Sequence, residues 1–355
     1  MRRGGEVGTG IALLLDYDLW SAPTTRSDHP TLLAFEVDRA VDLHGDDVRF
    51  IGCTEDDERR WRAAFQGAPR FDPARIVGTP KTSLPRERYL TAVQQVREAI
   101  GEGEVYQANL CQRFDAPYTG DPLTFFDRLA ESSPAPRASY LAYDRFALAS
   151  LSPETFVVSD GSMIETLPIK GTRARSANKE QDAAIAQELL QSEKDRAELL
   201  MIVDLERNDL GRICEVGSIH VPELIEVRPY PKVHHLVSRV RGTLDPAWTI
   251  DRLVRAIFPG GSITGAPKIA AMRLLEQLEP VRRGWFTGSL IWFGDDGSID
   301  SSILIRSVVF DGTNASIGAG GGVVIDSDPE AEWRESNHKA RFLTQALGFE
   351  PEEAT

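Results

Sequence analysis

A lysine and a glutamate stand in two segments that a turn can bring together. Glu154 precedes the alternating run Thr155–Ser159, and Lys170 follows the run Met163–Pro168, with Asp160-Gly161 as the turn signal between them. The two runs predict a pair of strands. A carboxyl beside an amine offers a proton donor next to a nucleophile whose pKa burial can tune. The spacing alone also fits a surface ion pair between Glu154 and Lys170 across a hairpin, and it favours this ion pair over a catalytic role.

Three further acids lie on two predicted helices. Glu198 falls early in a helix predicted over residues 194–210, while Glu332 and Glu335 are three residues apart in a helix that begins after Asp328 and runs to about Leu347. Carboxylates that converge from two helices suit Mg²⁺, which prefers oxygen ligands. Acids near helix N-termini are also favoured by the helix dipole, so a solvated acidic face is the alternative.

Two glycine-rich segments could present backbone N–H groups to an anion. Gly318–Gly322 follows a predicted strand, and Pro259–Lys268 opens a predicted helix. Neither has the spacing of a P-loop or of a dinucleotide-binding fingerprint. As isolated signals both are weak, because glycine-rich segments are usually ordinary turns.

One arginine and two histidines complete the candidates. Arg306 interrupts the apolar run Ile303–Phe310, predicted as one strand, where a guanidinium is costly unless a ligand carboxylate or a structural ion pair satisfies it. Both alternatives are open. His234 and His235 lack acidic or cysteine partners at metal-ligand spacing, so a zinc site is not expected and a core position is the default.

Composition excludes some classes of function. The chain has 355 residues, 40 Lys and Arg against 54 Asp and Glu, and a net charge of −14, which argues against nucleic acid and anionic membranes as partners. Three separated cysteines indicate neither a disulfide framework nor a metal motif, so a cytoplasmic location is expected. The basic start Met1–Gly5 is followed by an apolar run too short for a signal peptide or a membrane span.

The predicted elements alternate in blocks and not in a regular βαβ pattern. Residues 21–85 are predicted as strands and loops. The later elements predicted are helices over 85–101, 179–192, 194–210 and 267–278, and strands over 105–114, 140–143, 146–149, 155–159, 163–168, 289–293, 303–310 and 315–317. Such blocks fit a large mixed α+β domain.

Several blocks, in one order, resemble the chorismate-utilising enzymes, a family that includes component I of anthranilate synthase and of aminodeoxychorismate synthase and the isochorismate and salicylate synthases. The resembling blocks are Gly103–Leu110, Pro168–Arg173, Leu200–Asp209, His235–Ser238, Phe258–Lys268 and Gly318–Gly321, with Glu332 and Glu335. The resemblance covers roughly residues 85–345, and so long an ordered string is specific.

The resemblance implies a chorismate-binding domain, a two-sheet β-sandwich of mixed α/β type flanked by outer helices. It implies a shortened N-terminal part over residues 1–84, a catalytic core over 85–347 and a tail over 348–355. It gives Glu198, Glu332 and Glu335 as Mg²⁺ ligands and Glu154 as the acid that assists departure of the C4 hydroxyl. Substrate-binding residues implied by the resemblance are Thr172, His235, Thr264, Lys268, Arg306, Gly320 and Gly321.

Two positions separate members of the family. Isochorismate and salicylate synthases carry a water-activating lysine where this sequence has Gln107, which speaks against water as the nucleophile. Lysine at position 170 is typical of aminodeoxychorismate synthases, whereas anthranilate synthases carry alanine. The resemblance therefore implies Mg²⁺-dependent amination of chorismate to 4-amino-4-deoxychorismate through a covalent Lys170 intermediate, on the way to p-aminobenzoate and folate.

Two alternatives stay open: anthranilate formation with loss of pyruvate, and a non-catalytic subunit. Ammonia is expected from a separate glutaminase subunit, because no glutaminase nucleophile motif occurs in the sequence. An acidic protein can bind anionic chorismate if Mg²⁺, Arg306, Lys268 and Lys170 reverse the sign of the local charge, so substrate binding should depend on Mg²⁺.

Overall fold

The computed structural model describes residues 8–20, 30–44, 47–67, 71–230 and 232–350. The basic start Met1–Gly5, most of the segment after Trp20 up to Pro30, and the last five residues of the predicted tail lie outside these ranges.

The described elements comprise nineteen strands, eight α-helices and a 3₁₀ turn at Tyr17–Trp20. The strands are β1 (Gly10–Leu15), β2 (Leu32–Val37), β3 (Ala40–His44), β4 (Asp47–Ile51), β5 (Arg75–Ile76), β6 (Lys81–Thr82), β7 (Gln107–Thr119), β8 (Arg137–Tyr143), β9 (Phe146–Ser152), β10 (Thr155–Ser159), β11 (Met163–Thr166), β12 (Ile169–Ala174), β13 (His220–Pro229), β14 (Val233–Thr243), β15 (Gly265–Ala266), β16 (Ser289–Gly294), β17 (Ile299–Ile303), β18 (Ser307–Phe310) and β19 (Asn314–Val323). The helices are α1 (Glu55–Gly67), α2 (Arg86–Gly101), α3 (Pro122–Ser132), α4 (Lys179–Gln191), α5 (Glu193–Gly211), α6 (Ile250–Ile257), α7 (Lys268–Leu278) and α8 (Pro329–Ala346).

Two large sheets carry the fold. Sheet I has the order β12-β14-β11-β10-β17-β16-β1-β2, with β13 on the other edge of β14. Sheet II has the order β15-β7-β19-β18-β9-β8, with β5 and β6 also paired to β7. Strands β3 and β4 form a separate hairpin. All the strand pairs in these sheets are antiparallel.

Hydrophobic clusters join the two sheets and fix the helices outside them. Leu14 from sheet I packs with Phe146 and Leu148 from sheet II, around the fully buried Trp285 and Leu304. Separate clusters pack α5 and α6 on sheet I, α3 and α8 on sheet II, and α2 and α7 on β7. Burial of these apolar faces is the main stabilising term. The predicted two-sheet sandwich with outer helices is confirmed.

The last helix illustrates how the sequence sets its elements. The Asp328 carboxylate accepts a hydrogen bond from the backbone N–H of Ala331, and Pro329 occupies the first helical position. An acidic N-cap and a first-turn proline both favour a helix start. The buried residues Trp333, Ala340 and Leu343 recur on the face that packs inward. The helix predicted after Asp328 is thus confirmed.

Three predicted elements differ from the structure. The predicted strand over 303–310 is two strands, because the chain leaves sheet I after Ile303 and enters sheet II at Ser307. Gly318–Gly322 is not a loop: it continues β19, where it pairs with β7. The segment predicted as strands and loops also contains α1, whose first turn holds four acids that the helix dipole favours.

The C-terminal residues follow α8 closely. The Phe349 backbone N–H donates to the Thr344 carbonyl, and its ring packs against the cluster under α8. The predicted tail is therefore packed at its first residues.

Candidate functional site

The strand pairing brings Glu154 close to Lys170, as the spacing predicted. Strand β10 pairs with β11 in the register Val158 with Glu165 and Ser159 with Ile164. Glu154 directly precedes β10, and it and Lys170 act electrostatically on each other. Strands β11 and β12 both pair with β14, along successive stretches of that strand. The two side chains therefore lie on one end of sheet I.

Both groups are desolvated and they form no ion pair with each other. The Ser262 hydroxyl donates to Glu154 Oε1 over 2.6 Å. Burial raises the pKa of Glu154, although Ser262 and the Lys170 ammonium oppose it. Burial lowers the pKa of Lys170, against the attraction of Glu198 and Glu154. Both shifts favour the uncharged forms, a carboxylic acid and an amine. A surface ion pair, which spacing alone favoured, is therefore wrong.

Two helices direct carboxylates towards Lys170. Glu198 is on α5 and Glu335 on α8, and both act electrostatically on the Lys170 ammonium. Glu332, one turn before Glu335, is buried, and its Oε1 accepts a hydrogen bond of 2.6 Å from Ser327. Burial is the main cause that raises the pKa of Glu198 and of Glu332. For Glu335 burial is outweighed by the Lys339 ammonium at 2.7 Å, and its pKa is lowered.

The space between these carboxylates and β19 is kept open by a glycine. A Cβ on Gly321 would lie 3.1 Å from Glu332 Oε2, 3.7 Å from Glu335 Oε1 and 3.7 Å from Lys339 Nζ. The Lys339 ammonium also donates to the Gly320 carbonyl over 3.0 Å. The Lys339 ammonium thus lies between the Glu335 carboxylate and the backbone of β19.

The donor set fits a divalent cation that prefers oxygen. Carboxylates from two helices and an open backbone are ligands suited to Mg²⁺. Within the described ranges, no three Asp, Glu, His or Cys side chains are already gathered closely enough to hold a metal ion. Glu332 and Glu335 lie together beside Gly321, where Lys339 is paired with Glu335, and Lys194 Nζ lies 3.9 Å from Glu198 Oε1.

The glycines of β19 have one strand edge free. Strand β7 pairs with the whole of β19, but β18 pairs only with Ala315–Ile317. On the β18 side, Gly318–Val323 therefore pairs with no other described strand. Adjacent residues of a strand direct their N–H groups to opposite sides, so the N–H of Gly320 lies on this free edge, where it can bind an anion, and the N–H of Gly321 faces β7.

Arg306 lies where the chain crosses between the sheets. Its φ of 50° is in the left-handed region, which is uncommon for a residue other than glycine. The residue keeps exposed surface and its side chain makes no hydrogen bond or ion pair with the described residues, and partial desolvation of the guanidinium by the surrounding protein lowers its pKa. The structural ion pair considered for Arg306 is therefore absent from the described part of the chain, and the guanidinium is open to a ligand carboxylate.

His235 is near Arg306, which lowers the histidine's pKa, although burial is the larger cause. Its Nδ1 lies 3.1 Å from the Gly171 carbonyl and 3.0 Å from Thr172 Oγ1. A proton on Nδ1, donated to the Gly171 carbonyl, leaves Nε2 as an acceptor. Thr172 and His235 are thus brought together, as the resemblance implied. His234 instead lies 2.9 Å from Asp182, away from His235's partners.

Two implied substrate-binding residues are engaged by the protein itself. The Lys268 ammonium is 2.5 Å from Asp209 Oδ2 and donates to the Ile257 carbonyl over 2.9 Å. Thr264 is fully buried and its hydroxyl donates to the Gly260 carbonyl. Both polar groups thus have partners within the protein that hold the Pro259–Lys268 segment, and their implied contact with substrate stays a prediction.

The sequence reasoning missed three residues of the site. Lys339 lies four residues after Glu335, a spacing that predicts an ion pair on a helix. Ser262 lies in the segment Pro259–Lys268, whose glycine-rich sequence points only to backbone N–H groups. Glu206, a buried carboxyl on α5, was inside a resembling block but was given no role. The apolar periodicity of α5 could have marked it as a carboxyl on a buried face.

None of the described helices is both long and apolar enough to cross a membrane.

Comparison with known proteins shows the family to which the chain belongs. A family model described as chorismate binding enzyme matches residues 24–345. The chain is 43% identical over 289 residues to aminodeoxychorismate synthase component 1 of Escherichia coli K12, covering 81% of this chain and 64% of that protein. It is 40% identical over 289 residues to anthranilate synthase component 1 1 of Haloarcula marismortui, covering 81% of this chain and 59% of that protein. The chain thus spans less than two thirds of these relatives' lengths.

A solved structure shows the same fold. Anthranilate synthase component I from Streptococcus pneumoniae superposes with a TM-score of 0.84 at 28% sequence identity, over 96% of this chain and 82% of that one. The family match covers most of the chain and includes every candidate site residue. The chain belongs to the family of chorismate binding enzymes.

Proposed function

We propose that this protein aminates chorismate with ammonia to give 4-amino-4-deoxychorismate, the precursor of p-aminobenzoate in folate synthesis. The observation that carries the proposal is the Lys170 amine, which is desolvated, forms no ion pair with any described residue, and lies near the carboxyl of Glu154. The similarity to a protein named aminodeoxychorismate synthase component 1 supports the para product.

The chain's own groups can carry a double displacement. Lys170 Nζ attacks C2 of chorismate while the C4–O bond breaks, and the leaving hydroxyl takes a proton from Glu154 to depart as water. Ammonia then attacks C4, the C2–N bond to Lys170 breaks, and the new ammonium returns a proton to Glu154. Covalent catalysis of this kind replaces one difficult step by two easier ones.

The anionic groups of chorismate need positive or N–H partners. Glu198, Glu332 and Glu335 would hold Mg²⁺, which would supply charge to bind the ring carboxylate. The Arg306 guanidinium and the Gly320 N–H on the free edge of β19 are suited to a second carboxylate, which Gly321 would border. His235 and Thr172 would border the ring from β14 and β12. Ammonia would come from a separate glutaminase subunit.

A second candidate is anthranilate formation. The similarity to proteins named anthranilate synthase favours it, whereas a lysine at position 170 favours the para product. A non-catalytic subunit is a third possibility, which the retained Lys170, Glu154 and three carboxylates argue against.

Product identity decides between these candidates. Purified protein incubated with chorismate, Mg²⁺ and ammonium should consume chorismate without anthranilate fluorescence, and a lyase added afterwards should release p-aminobenzoate. Anthranilate fluorescence without added lyase would contradict the para assignment. No consumption at any ammonium concentration would point to a non-catalytic subunit.

A lysine variant tests the covalent role. Lys170→Ala should lose para-amination, whereas Lys179→Ala, at an exposed lysine at the start of α4, should keep it. Full para-amination by the Lys170→Ala variant would rule out the covalent intermediate.

A further inference from the structure

A buried ion pair fills a gap in the strand pairing of sheet II. Among the described strands, β15 and β6 pair with successive parts of β7 on the edge away from β19, and they leave an interval between them. In this interval the Cys111 N–H donates to Glu279 Oε1 over 2.9 Å. The Asn109 carbonyl accepts a hydrogen bond from Arg283 Nη2. The ion pair thus satisfies backbone groups that a strand would otherwise satisfy.

The Arg283 guanidinium also reaches the Pro259–Lys268 segment. Its Nη1 donates to the Ile263 carbonyl over 2.8 Å, and the Asn109 side-chain amide donates to the same carbonyl over 3.1 Å. Its Nε and Nη2 donate to the Glu279 carboxylate over 2.8 and 2.7 Å. The Arg283 and Glu279 side chains are only 3% and 8% exposed. One planar group therefore holds two carbonyls and a carboxylate at once, away from water.

The carbonyl that Arg283 fixes is one residue from a contact with the proposed acid. Ser262 precedes Ile263, and its hydroxyl donates to Glu154 Oε1 over 2.6 Å. Because neighbouring residues share a planar peptide unit, a displacement of Ile263 carries Ser262 with it. A displacement of about 1 Å is enough to break a hydrogen bond of this length. The orientation of the Glu154 carboxyl thus depends on the position of the Pro259–Lys268 segment.

The ion pair does more than fill the interval beside β7. A buried ion pair is weak evidence for stability, because apolar side chains of similar size often stabilise a core equally well. What apolar side chains cannot supply is a rigid donor that binds carbonyls of two chain segments in a fixed orientation. The Arg283 fork joins β7 to the Pro259–Lys268 segment in this way. Its position therefore affects where Ser262 lies.

We propose that Arg283 is a positioning residue for Glu154. It holds the Ile263 carbonyl, so that Ser262 keeps the carboxyl aimed at the C4 hydroxyl of chorismate. The proposal rests on the proposed function, because that function makes Glu154 the acid. Arg283 takes no proton and forms no bond to substrate in this role. Its contribution should appear in kcat at a given stability of the fold, which separates it from a purely structural arginine.

The first test compares Tm with kcat in two variants, assayed at a temperature where both are folded. Arg283→Lys keeps a cation beside Glu279 but cannot donate to both carbonyls, so kcat should fall roughly tenfold. Glu279→Gln leaves a buried guanidinium without its carboxylate and should have the lower Tm of the two. Its Arg283 still reaches both carbonyls, so its kcat should stay within about twofold of the wild type.

The two rankings are therefore expected to be opposite, with the lysine variant the more stable protein and the slower enzyme. A kcat that follows Tm across the wild type and both variants would overturn the proposal. A purely structural arginine affects the rate only through the folded fraction, and it gives that parallel ranking.

Arg113→Lys is the matched control. Arg113, on β7, is partly buried, lies 2.9 Å from Asp115 and donates to the Arg282 carbonyl over 3.0 Å. None of its described hydrogen bonds reaches the Pro259–Lys268 segment. Its lysine variant should keep kcat within about twofold of the wild type. Equal losses of kcat in Arg113→Lys and Arg283→Lys would contradict a specific role of Arg283.

The second test is a double-mutant cycle with Ser262. Ser262→Ala removes the hydrogen bond to Glu154 directly and should also lower kcat. If Arg283 acts through Ser262, the variant with both Arg283→Lys and Ser262→Ala should be no slower than the slower single variant. Two effects on kcat that multiply would show independent roles and would overturn the proposed path.

The third test does not need catalysis. Burial raises the pKa of Glu154, so infrared spectra of the free protein at mildly acidic pH should contain a protonated-carboxyl band that Glu154→Gln removes. Ser262→Ala should shift this band, because a hydrogen bond to the carboxyl is lost, and Arg283→Lys should shift it in the same direction. An unshifted band in Arg283→Lys would overturn the proposal. If the wild type consumes no chorismate, the proposed function fails, whereas the band still decides whether Arg283 positions Glu154.

Discussion

Replacing Lys268 by methionine separates a structural from a substrate-binding role for this lysine. The Lys268 ammonium lies 2.5 Å from Asp209 Oδ2, and both side chains are largely buried, with 13% and 9% of their surfaces exposed. Methionine keeps the length of the side chain but removes the charge. Asp209 is then a buried carboxyl without its cation.

The cost of that change should depend on pH. Burial raises the pKa of Asp209 from 3.8 to about 6 in the wild type, with Lys268 opposing the rise. Because this pKa is raised, the folded state binds the proton more tightly than the unfolded chain, and stability falls as pH rises from about 3.8 to 6. Above pH 6 wild-type Asp209 is ionised in both states. Without Lys268 the pKa rises further, so the folded variant still binds a proton that the unfolded chain lacks.

The number of protons that the folded variant binds in excess of its unfolded chain determines how much stability the variant loses. The variant should lose up to about 1.4 kcal/mol per pH unit relative to the wild type between pH 6 and pH 8. We expect a loss of roughly 3 kcal/mol at pH 8, in line with the cost of breaking a buried pair, and less than about 1 kcal/mol at pH 6. For 355 residues, at about 2.1 cal/mol/K each, 3 kcal/mol lowers Tm by roughly 4 °C.

Urea unfolding and calorimetry at both pH values measure the loss. Lys268→Met with Asp209→Leu should recover most of it, because an apolar pair replaces the buried ions. Lys179→Met is the control at an exposed lysine. Unchanged stability with a raised KM for chorismate would refute the structural role and return Lys268 to the substrate site.

Three more outcomes follow from the site and the core. Gly321→Ala should raise the Mg²⁺ concentration needed for half-maximal activity about tenfold, because its Cβ would lie 3.1 Å from Glu332 Oε2. Gly211→Ala, at a helix end with open space around it, should leave that concentration unchanged. Equal effects of the two substitutions would contradict a Mg²⁺ site beside Gly321. Chorismate binding measured by calorimetry should be lost when EDTA replaces Mg²⁺, and affinity that survives chelation would count against the carboxylate site. Trp285→Ala should cost about 3–5 kcal/mol in urea unfolding, because the ring is fully buried between the sheets; a loss below 1 kcal/mol would show that this cluster does not tie the sheets together.

Local patterns predicted most of the elements near the site. The turn at Asp160-Gly161, the helix over residues 86–101 and the N-cap at Asp328 are all set by residues within a few positions of each other. The break at Arg306 was not predictable in this way. An apolar run that crosses between two sheets has the same composition as one continuous strand, and only the pairing partners tell them apart.

The site residues likewise differ in whether their positions follow from local sequence or from contacts between distant parts of the chain. Glu332 and Glu335 could be placed on one helix face from their spacing. That Lys268 would be held by Asp209 depends on a contact across 59 residues of the chain. Spacing carries no information on such contacts, and the family resemblance supplied residue roles without these partners.

The position of α8 in the chain affects when the site can form during synthesis. Glu332, Glu335 and Lys339 come from this helix, which follows every other described element, whereas Glu154, Lys170 and Glu198 precede it by more than 130 residues. A nascent chain that has emerged only as far as β19 already contains the amine and its acid but lacks two of the three carboxylates. Any binding that depends on those carboxylates must therefore appear only after the final helix has left the ribosome and docked on sheet II.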